Sequence, residues 1–150
     1  MSALKSINFA ISMATQKRDG LMPVINQTKR VLAFANDQMG RLHSYAEETS
    51  EKWRVSSQRG TSPELMCHHY QFMARLQDAI TLQKDVLGQA ESEVHCANKN
   101  YLEAEMRIAS LELMQKKLQS RADIKTSRKE QKQTDEFAAT KKITIFNAVY

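Results

Sequence analysis

Mostly apolar residues in the first third of the chain follow one another at alternating steps of three and four. This spacing keeps one face of an α-helix apolar and is typical of a coiled-coil seam, the stripe that packs against another helix. The positions are Leu4, Ile7, Ile11, Ala14, Arg18, Leu21, Ile25, Thr28, Leu32, Ala35, Met39, Leu42, Ala46, Thr49 and Trp53. A second seam follows at Leu65, His69, Phe72, Leu76, Ile80, Gln83, Leu87, Ala90, Val94, Ala97, Tyr101, Ala104, Ile108, Leu111, Gln115, Leu118 and Ala122. The two successive steps of four from Phe72 to Ile80 predict a local stutter.

Two seams of this length need partners, and the nearest partner of each is the other half of the same chain. Only four glycines and two prolines are present, and no stretch alternates apolar and polar residues over enough positions to suggest a sheet, so we expect an all-α chain. We expect a single unit over residues 1–150, an antiparallel two-helix coiled-coil hairpin with a longer C-terminal helix. Its predicted parts are helix 1 at about 3–57, a turn at 58–62, helix 2 at about 63–142 and an apolar tail at 143–150. Seams of this kind close within one chain or between two.

The predicted turn has recognisable helix-end chemistry. Gly60 can end the first helix, Ser62 or Thr61 can cap the second, and Pro63 suits its first position. With the turn near residue 60, residue i pairs with about residue 120 minus i. Pro23 predicts a kink or short interruption in helix 1, and an N-terminal arm hinged near Gly20 is the alternative.

The sequence disfavours an enzyme and a bound cofactor. It has no nucleophile at a fixed spacing from a base and no glycine-rich phosphate loop, and a two-helix coil has no enclosed pocket. Cys67 and Cys96 lie about 43 Å apart along one predicted helix, so they can form neither an intrachain disulfide nor a shared zinc site. No apolar run reaches the roughly 18 residues of a membrane span, and we expect a cytoplasmic protein.

Basic residues concentrate near the end of helix 2, in a segment that the predicted register leaves without a partner helix. They are Lys116, Lys117, Arg121, Lys125, Arg128, Lys129 and Lys132, against Asp123 and Glu130. This surplus of five equals the net charge of +5, so the remainder of the chain is balanced. Three interpretations of the segment are open: a solvated helix, a helix that docks on a protein, or a helix that binds nucleic acid or membrane. Nucleic acid is disfavoured because no aromatic residues alternate with the basic ones.

The predicted register also gathers residues of both helices into one patch near the turn, and Tyr45 and Phe72 are its aromatic members. These residues either pack against each other or form a binding surface. The patch comprises Gln38, Leu42, Tyr45, Phe72, Leu76 and Ala79. The tail from Ile143 is uncharged and rich in β-branched residues, so we expect it to be disordered until bound or to dock on a partner.

Three sets of residues resemble the FliJ family of flagellar type III export proteins. They are Gln38…Leu42…Tyr45, Tyr70-Gln71-Phe72…Leu76…Ala79-Ile80, and Lys129-x-Gln131-Lys132-x-x-Asp135-Glu136-Phe137-Ala138. The resemblance extends over nearly the whole chain without gaps.

The resemblance implies a non-enzymatic stalk of the export apparatus, at the cytoplasmic face of the inner membrane. Its implied partners are a hexameric FliI-like export ATPase, an FlhA-like export gate protein and export chaperones, and no nucleic acid. The implied gate-binding residues are the patch named above. The implied ATPase-binding residues are Arg121, Lys125, Arg128, Lys129, Lys132, Asp135, Glu136 and Phe137.

The chain departs from the family pattern at three places. Thr49 stands where an aromatic residue is usual, Gln83 where a histidine is usual, and the apolar tail replaces a basic, proline-bearing end. These departures favour a divergent or lateral flagellar system, with an injectisome stalk as the alternative. A type III secretion chaperone or a structural coiled-coil adaptor is the alternative function.

Overall fold

Two long helices make up the computed structural model, which describes residues 2–149. Helix α1 covers Ser2–Gln58 and helix α2 covers Pro63–Ala148. No strand occurs within that described range. The expected fold, an antiparallel all-α hairpin with a longer second helix, is confirmed.

The predicted end of helix 2 near Lys142 was wrong, because α2 continues to Ala148. β-Branched residues lower helix stability by only a few tenths of a kcal/mol each, so they do not by themselves end a helix. The Thr140 and Thr144 hydroxyls donate hydrogen bonds to the carbonyl oxygens of Glu136 and Thr140, both at 2.9 Å. Most of the predicted tail is therefore helical, and Tyr150 lies outside the described residues.

Helix α1 runs through Gly20 and Pro23 without interruption. Pro23 has no backbone N–H, so the Asp19 carbonyl, four residues earlier, lacks its usual helical hydrogen bond. Both residues are exposed. Water can satisfy a carbonyl in such a position, so one proline does not break the helix. The expected short interruption is therefore absent within Ser2–Gln58, and the alternative of an arm hinged near Gly20 stays a prediction.

The turn follows the predicted chemistry. Gly60 has φ of +93°, a left-handed conformation that glycine adopts without strain. Ser62 is the cap, since the Leu65 N–H donates a hydrogen bond to its hydroxyl at 3.2 Å. Within residues 2–149, the buried Thr61 hydroxyl has no hydrogen-bond partner, which decides between the two candidate caps.

The chain forms two compact units. One comprises the residues up to Lys17 with those from Ala104 onward, and the other comprises Arg18–Glu103. In each unit a stretch of α1 packs against a stretch of α2, and both helices pass unbroken between the units.

The α1 seam is confirmed, because all fifteen predicted positions are buried or half-buried. In α2 the prediction was wrong at two positions: Leu65 is exposed, and half-buried Met73 takes the place given to Phe72. With Met73 the steps alternate between four and three from His69 to Ala122, so there is no stutter. The Phe72 ring lies on the flank, where it contacts Tyr45.

The core of unit Arg18–Glu103 includes Met39, Leu76 and Ile80, with Leu42, Ala46 and Met73 packed against them. Cross-helix contacts give the register. In this unit the Trp53 and His69 rings stack at 4.1 Å, and the Gln83 side-chain amide donates to the Ala35 carbonyl at 3.0 Å. In the other unit, Gln115 donates to the Asn8 side chain at 2.6 Å. Each pair lies within a few residues of the predicted pairing.

Candidate partner-binding surfaces

Tyr45 and Phe72 meet on one flank of the hairpin, as the register predicted. Their ring centroids are 5.8 Å apart and the ring planes cross at 82°, an edge-to-face contact. Tyr45 is 52% exposed and Phe72 is 38% exposed. The two rings therefore pack against each other and still offer apolar surface to a partner.

The other four members of the predicted patch occupy different depths. Leu76 is buried at 7% exposure, and half-buried Leu42 packs against the same core cluster. Gln38 and Ala79 are half-buried and lie one position before the buried residues Met39 and Ile80. The exposed part of the patch is thus Tyr45 and Phe72, while Leu42 and Leu76 belong to the seam.

The aromatic residues nearest the turn serve the hairpin itself. Trp53 is half-buried and its ring is parallel to that of His69, with an interplanar angle of 5°. This stack closes the seam beside the turn. Tyr70 is 62% exposed, and its ring is tilted against that of His69 at 5.8 Å.

The predicted ATPase-binding residues lie where α2 has left its seam. Ala122 is the last half-buried residue, and every residue from 123 to 149 is exposed. We call α2 from residue 123 to Ala148, with Arg121, the overhang. Steps of four and three place Arg121, Lys125, Arg128 and Lys132 on one helical face. Within residues 2–149, none of these four side chains forms an ion pair, so their positive charge is available to a partner.

The second half of the overhang carries large apolar side chains and balanced charge, with Lys141 and Lys142 against two acidic residues. Asp135 and Glu136 precede Phe137, which is 73% exposed. Farther on, Ile143, Ile145 and Phe146 are each more than half exposed. The overhang therefore presents a basic stripe followed by large apolar side chains on one continuous helix.

Four further exposed apolar residues lie on the Tyr45–Phe72 flank and were not predicted from the sequence: Val31, Phe34, Leu82 and Val86. Each stands directly before a seam residue, namely Leu32, Ala35, Gln83 and Leu87. That offset was the available signal. An apolar residue next to a seam position widens the apolar face to one side instead of joining the seam.

Neither a metal site nor a membrane span is found in the described range. Over residues 2–149, no group of three or more His, Cys, Asp and Glu side chains is placed to hold a metal ion. Cys67 and Cys96 are free and exposed. Over the same residues, neither helix combines the length and apolar character needed to cross a bilayer.

Comparison with known proteins agrees with the fold and with the sequence motifs. The FliJ family model, described as "Flagellar FliJ protein", matches residues 5–143. The chain is also similar to the flagellar FliJ protein of Escherichia coli (strain K12), with 25% identity over 138 residues. That alignment covers 91% of this chain and 85% of the relative. The chain therefore belongs to the FliJ family and is a structural component of the flagellar protein export apparatus.

Proposed function

We propose that this protein is a stalk that engages a hexameric FliI-like export ATPase and links it to an FlhA-like export gate protein. The observation that carries the proposal is the overhang, a basic helix whose side chains are all exposed from residue 123 onward. A single helix is about 10–12 Å wide with its side chains, narrow enough to enter the centre of a protein ring. On this proposal the protein acts at the cytoplasmic face of the membrane.

The overhang acts through binding rather than chemistry. One helix cannot touch all subunits of a ring equally, because its basic stripe faces one direction. A subunit that binds the stripe more tightly in one nucleotide state is shifted toward that state. The stalk thereby couples hydrolysis in the ring to events at the gate.

Gate binding uses Tyr45 and Phe72. Exposed aromatic rings that are already packed lose little side-chain freedom on binding, and aromatic residues are enriched among interface hot spots. Leu42 and Leu76 hold the rings in position from the seam. Export chaperones are further proposed partners.

The ATPase contact is tested by charge reversal in the overhang. The Arg128→Glu, Lys129→Glu double variant is compared with Lys29→Glu, Arg30→Glu, which reverses two adjacent exposed basic residues in the other unit. Hydrolysis by the FliI-like ATPase from the same genome is measured against added protein. We expect the overhang variant to lose stimulation and the control to keep it. Equal stimulation by the wild type and both variants refutes the overhang contact, provided circular dichroism shows equal helicity.

The gate contact is tested with Tyr45→Ala, Phe72→Ala. We expect this variant to bind the soluble domain of the FlhA-like protein about tenfold more weakly or worse, because both rings are truncated. It should stimulate the ATPase normally. Loss of both activities in this variant and in the overhang variant would argue against two separate surfaces. A folded wild type that affects no ATPase and binds no gate protein would favour a chaperone or adaptor role.

A further inference from the structure

One flank of the hairpin is mostly apolar over two heptads, with Gln38 as its one polar member among six positions. Its residues each stand one position before a seam residue and recur every seven residues. They are Val31, Gln38 and Tyr45 in α1, and Phe72, Ala79 and Val86 in α2. Because the seam also repeats every seven residues, a constant offset keeps them on one flank. The Tyr45–Phe72 contact brings the rows of both helices together on the same side. Fourteen residues of helix extend about 21 Å.

The opposite flank is polar. Its residues each follow a seam residue, again at steps of seven: Lys29, Asn36 and His43 in α1, and Gln77, Lys84 and Glu91 in α2. Single exposed apolar residues are normal on protein surfaces. Over residues 29–45 and 72–91, the large exposed apolar residues lie on one flank only, and the equivalent positions on the other flank are polar. Such a one-sided distribution is a feature of interaction surfaces.

A second apolar cluster lies on the apolar flank beyond the predicted patch. The hydrogen bond from Gln83 to the Ala35 carbonyl places these two residues opposite each other. Val31 is one turn before Ala35, and Val86 is nearly one turn after Gln83, so the antiparallel helices bring the two valines to one level. Phe34 and Leu82 directly precede the bonded pair. These four side chains are 40%, 65%, 66% and 52% exposed in the order Val31, Phe34, Leu82, Val86.

This cluster is more apolar than the predicted patch. Phe34 and Leu82 stand directly before seam residues, and the corresponding positions seven residues nearer the turn are Arg41 and Arg75. Arg41 is paired with Asp37 at 3.1 Å. Aromatic rings and arginines therefore occupy one end of the flank, and four apolar side chains occupy the other.

We propose that the apolar flank is one continuous groove for an amphipathic helix of the gate protein, which binds the cluster of Val31, Phe34, Leu82 and Val86 as well as Tyr45 and Phe72. This inference rests on the proposed gate binding and extends it. The occupant is a helix because two apolar rows with a seven-residue repeat, one from each helix, are what a third helix in a coiled coil packs against. Between the two ends, Gln38 and Ala79 are half-buried and connect the two clusters along the flank.

The test replaces the cluster without unfolding the hairpin. In a quadruple variant, Val31, Phe34, Leu82 and Val86 are each changed to alanine, the residue that helices favour most. The matched control is Leu102→Ala, Met106→Ala, which truncates two equally exposed apolar side chains of α2 outside this flank. Binding to the purified soluble domain of the FlhA-like gate protein is measured by calorimetry. We expect the quadruple variant to bind about tenfold more weakly or worse, and the control to bind as the wild type does.

The outcomes separate this inference from the proposed function. If the quadruple variant binds normally and Tyr45→Ala, Phe72→Ala does not, the gate site stops at the predicted patch and the inference is overturned. If the wild type does not bind the gate domain, both proposals fail. Sedimentation of all proteins tests for a second copy as occupant. A wild-type dimer that the quadruple variant converts to a monomer, with gate binding unchanged, would assign the groove to self-association and overturn the inference.

Discussion

Truncation of Ile80 tests the seam at one of its most deeply buried positions. Ile80 is 4% exposed and packs with Met39 and Leu76. Ile80→Ala removes three carbon groups, each worth about 0.8 kcal/mol when buried, or about 2.4 kcal/mol together. Alanine returns a few tenths of a kcal/mol through its higher helix propensity. A two-helix seam is open on both sides and can partly collapse around the gap, so the cavity adds little. We expect a loss of about 2 kcal/mol in the free energy of unfolding.

The matched control is Leu82→Ala, two positions along the same helix. Leu82 is 66% exposed, so its truncation should change the free energy of unfolding by no more than about 0.5 kcal/mol. Urea unfolding followed by circular dichroism at the helical minimum gives both free energies of unfolding. The dependence of the free energy on urea concentration should be the same in the wild type and both variants. Equal losses in the two variants, or a loss below about 0.5 kcal/mol for Ile80→Ala, would refute the seam described here.

Three further predictions concern the turn and its neighbourhood. Ser62→Ala should lower the free energy of unfolding by about 1 kcal/mol, because the Leu65 N–H loses its acceptor. Ser62→Asp should keep the wild-type free energy of unfolding, because aspartate can also accept this hydrogen bond. Gly60→Ala should lower the free energy of unfolding by about 1 kcal/mol in the same urea assay, because alanine is strained at a φ of +93°. A steric clash does not contribute, since no heavy atom beyond the two neighbouring residues lies within 4 Å of the added carbon. The hydrogen bond from Arg54 lowers the pKa of the exposed Glu51 carboxyl. Any stabilisation by this bond is therefore present above the pKa that Glu51 has in the unfolded chain, and it is lost as the pH falls through the lower pKa of the folded protein. Arg54→Gln should raise that pKa toward the ordinary value in an NMR titration, and an unchanged pKa would exclude Arg54 as the cause.

The pairing of the helices could be predicted because it depends on spacing alone. Alternating steps of three and four identify the buried face, and one turn fixes the register to within a few residues. The spacing also distinguishes Met73 from Phe72, because Met73 keeps the steps alternating from His69 to Ala122, whereas Phe72 requires two successive steps of four. In the structure Met73 packs against the core cluster, and the Phe72 ring meets Tyr45 on the flank.

The end of α2 was mispredicted for a different reason. Ile143, Thr144 and Ile145 have modest helix propensity, but a helix already formed adds each residue with one hydrogen bond and no new nucleation. The Thr144 hydroxyl also bonds within the helix. Glycine and proline, which often mark a helix end, do not occur between Gly88 and Ala148.

The two internal departures from the family pattern concern the seam more than the exposed surface. Thr49 and Gln83 are both half-buried seam residues, and Gln83 uses its side chain to bond the Ala35 carbonyl of the facing helix. The exposed flank residues Tyr45 and Phe72 directly precede seam positions and do not fill them. A change in the seam can therefore alter the pairing of the helices while the rings stay exposed. A change on the flank can alter binding to a partner while the pairing stays intact. This separation explains how exchanges in the seam can be tolerated in a two-helix protein whose proposed partners are met on its flank and overhang.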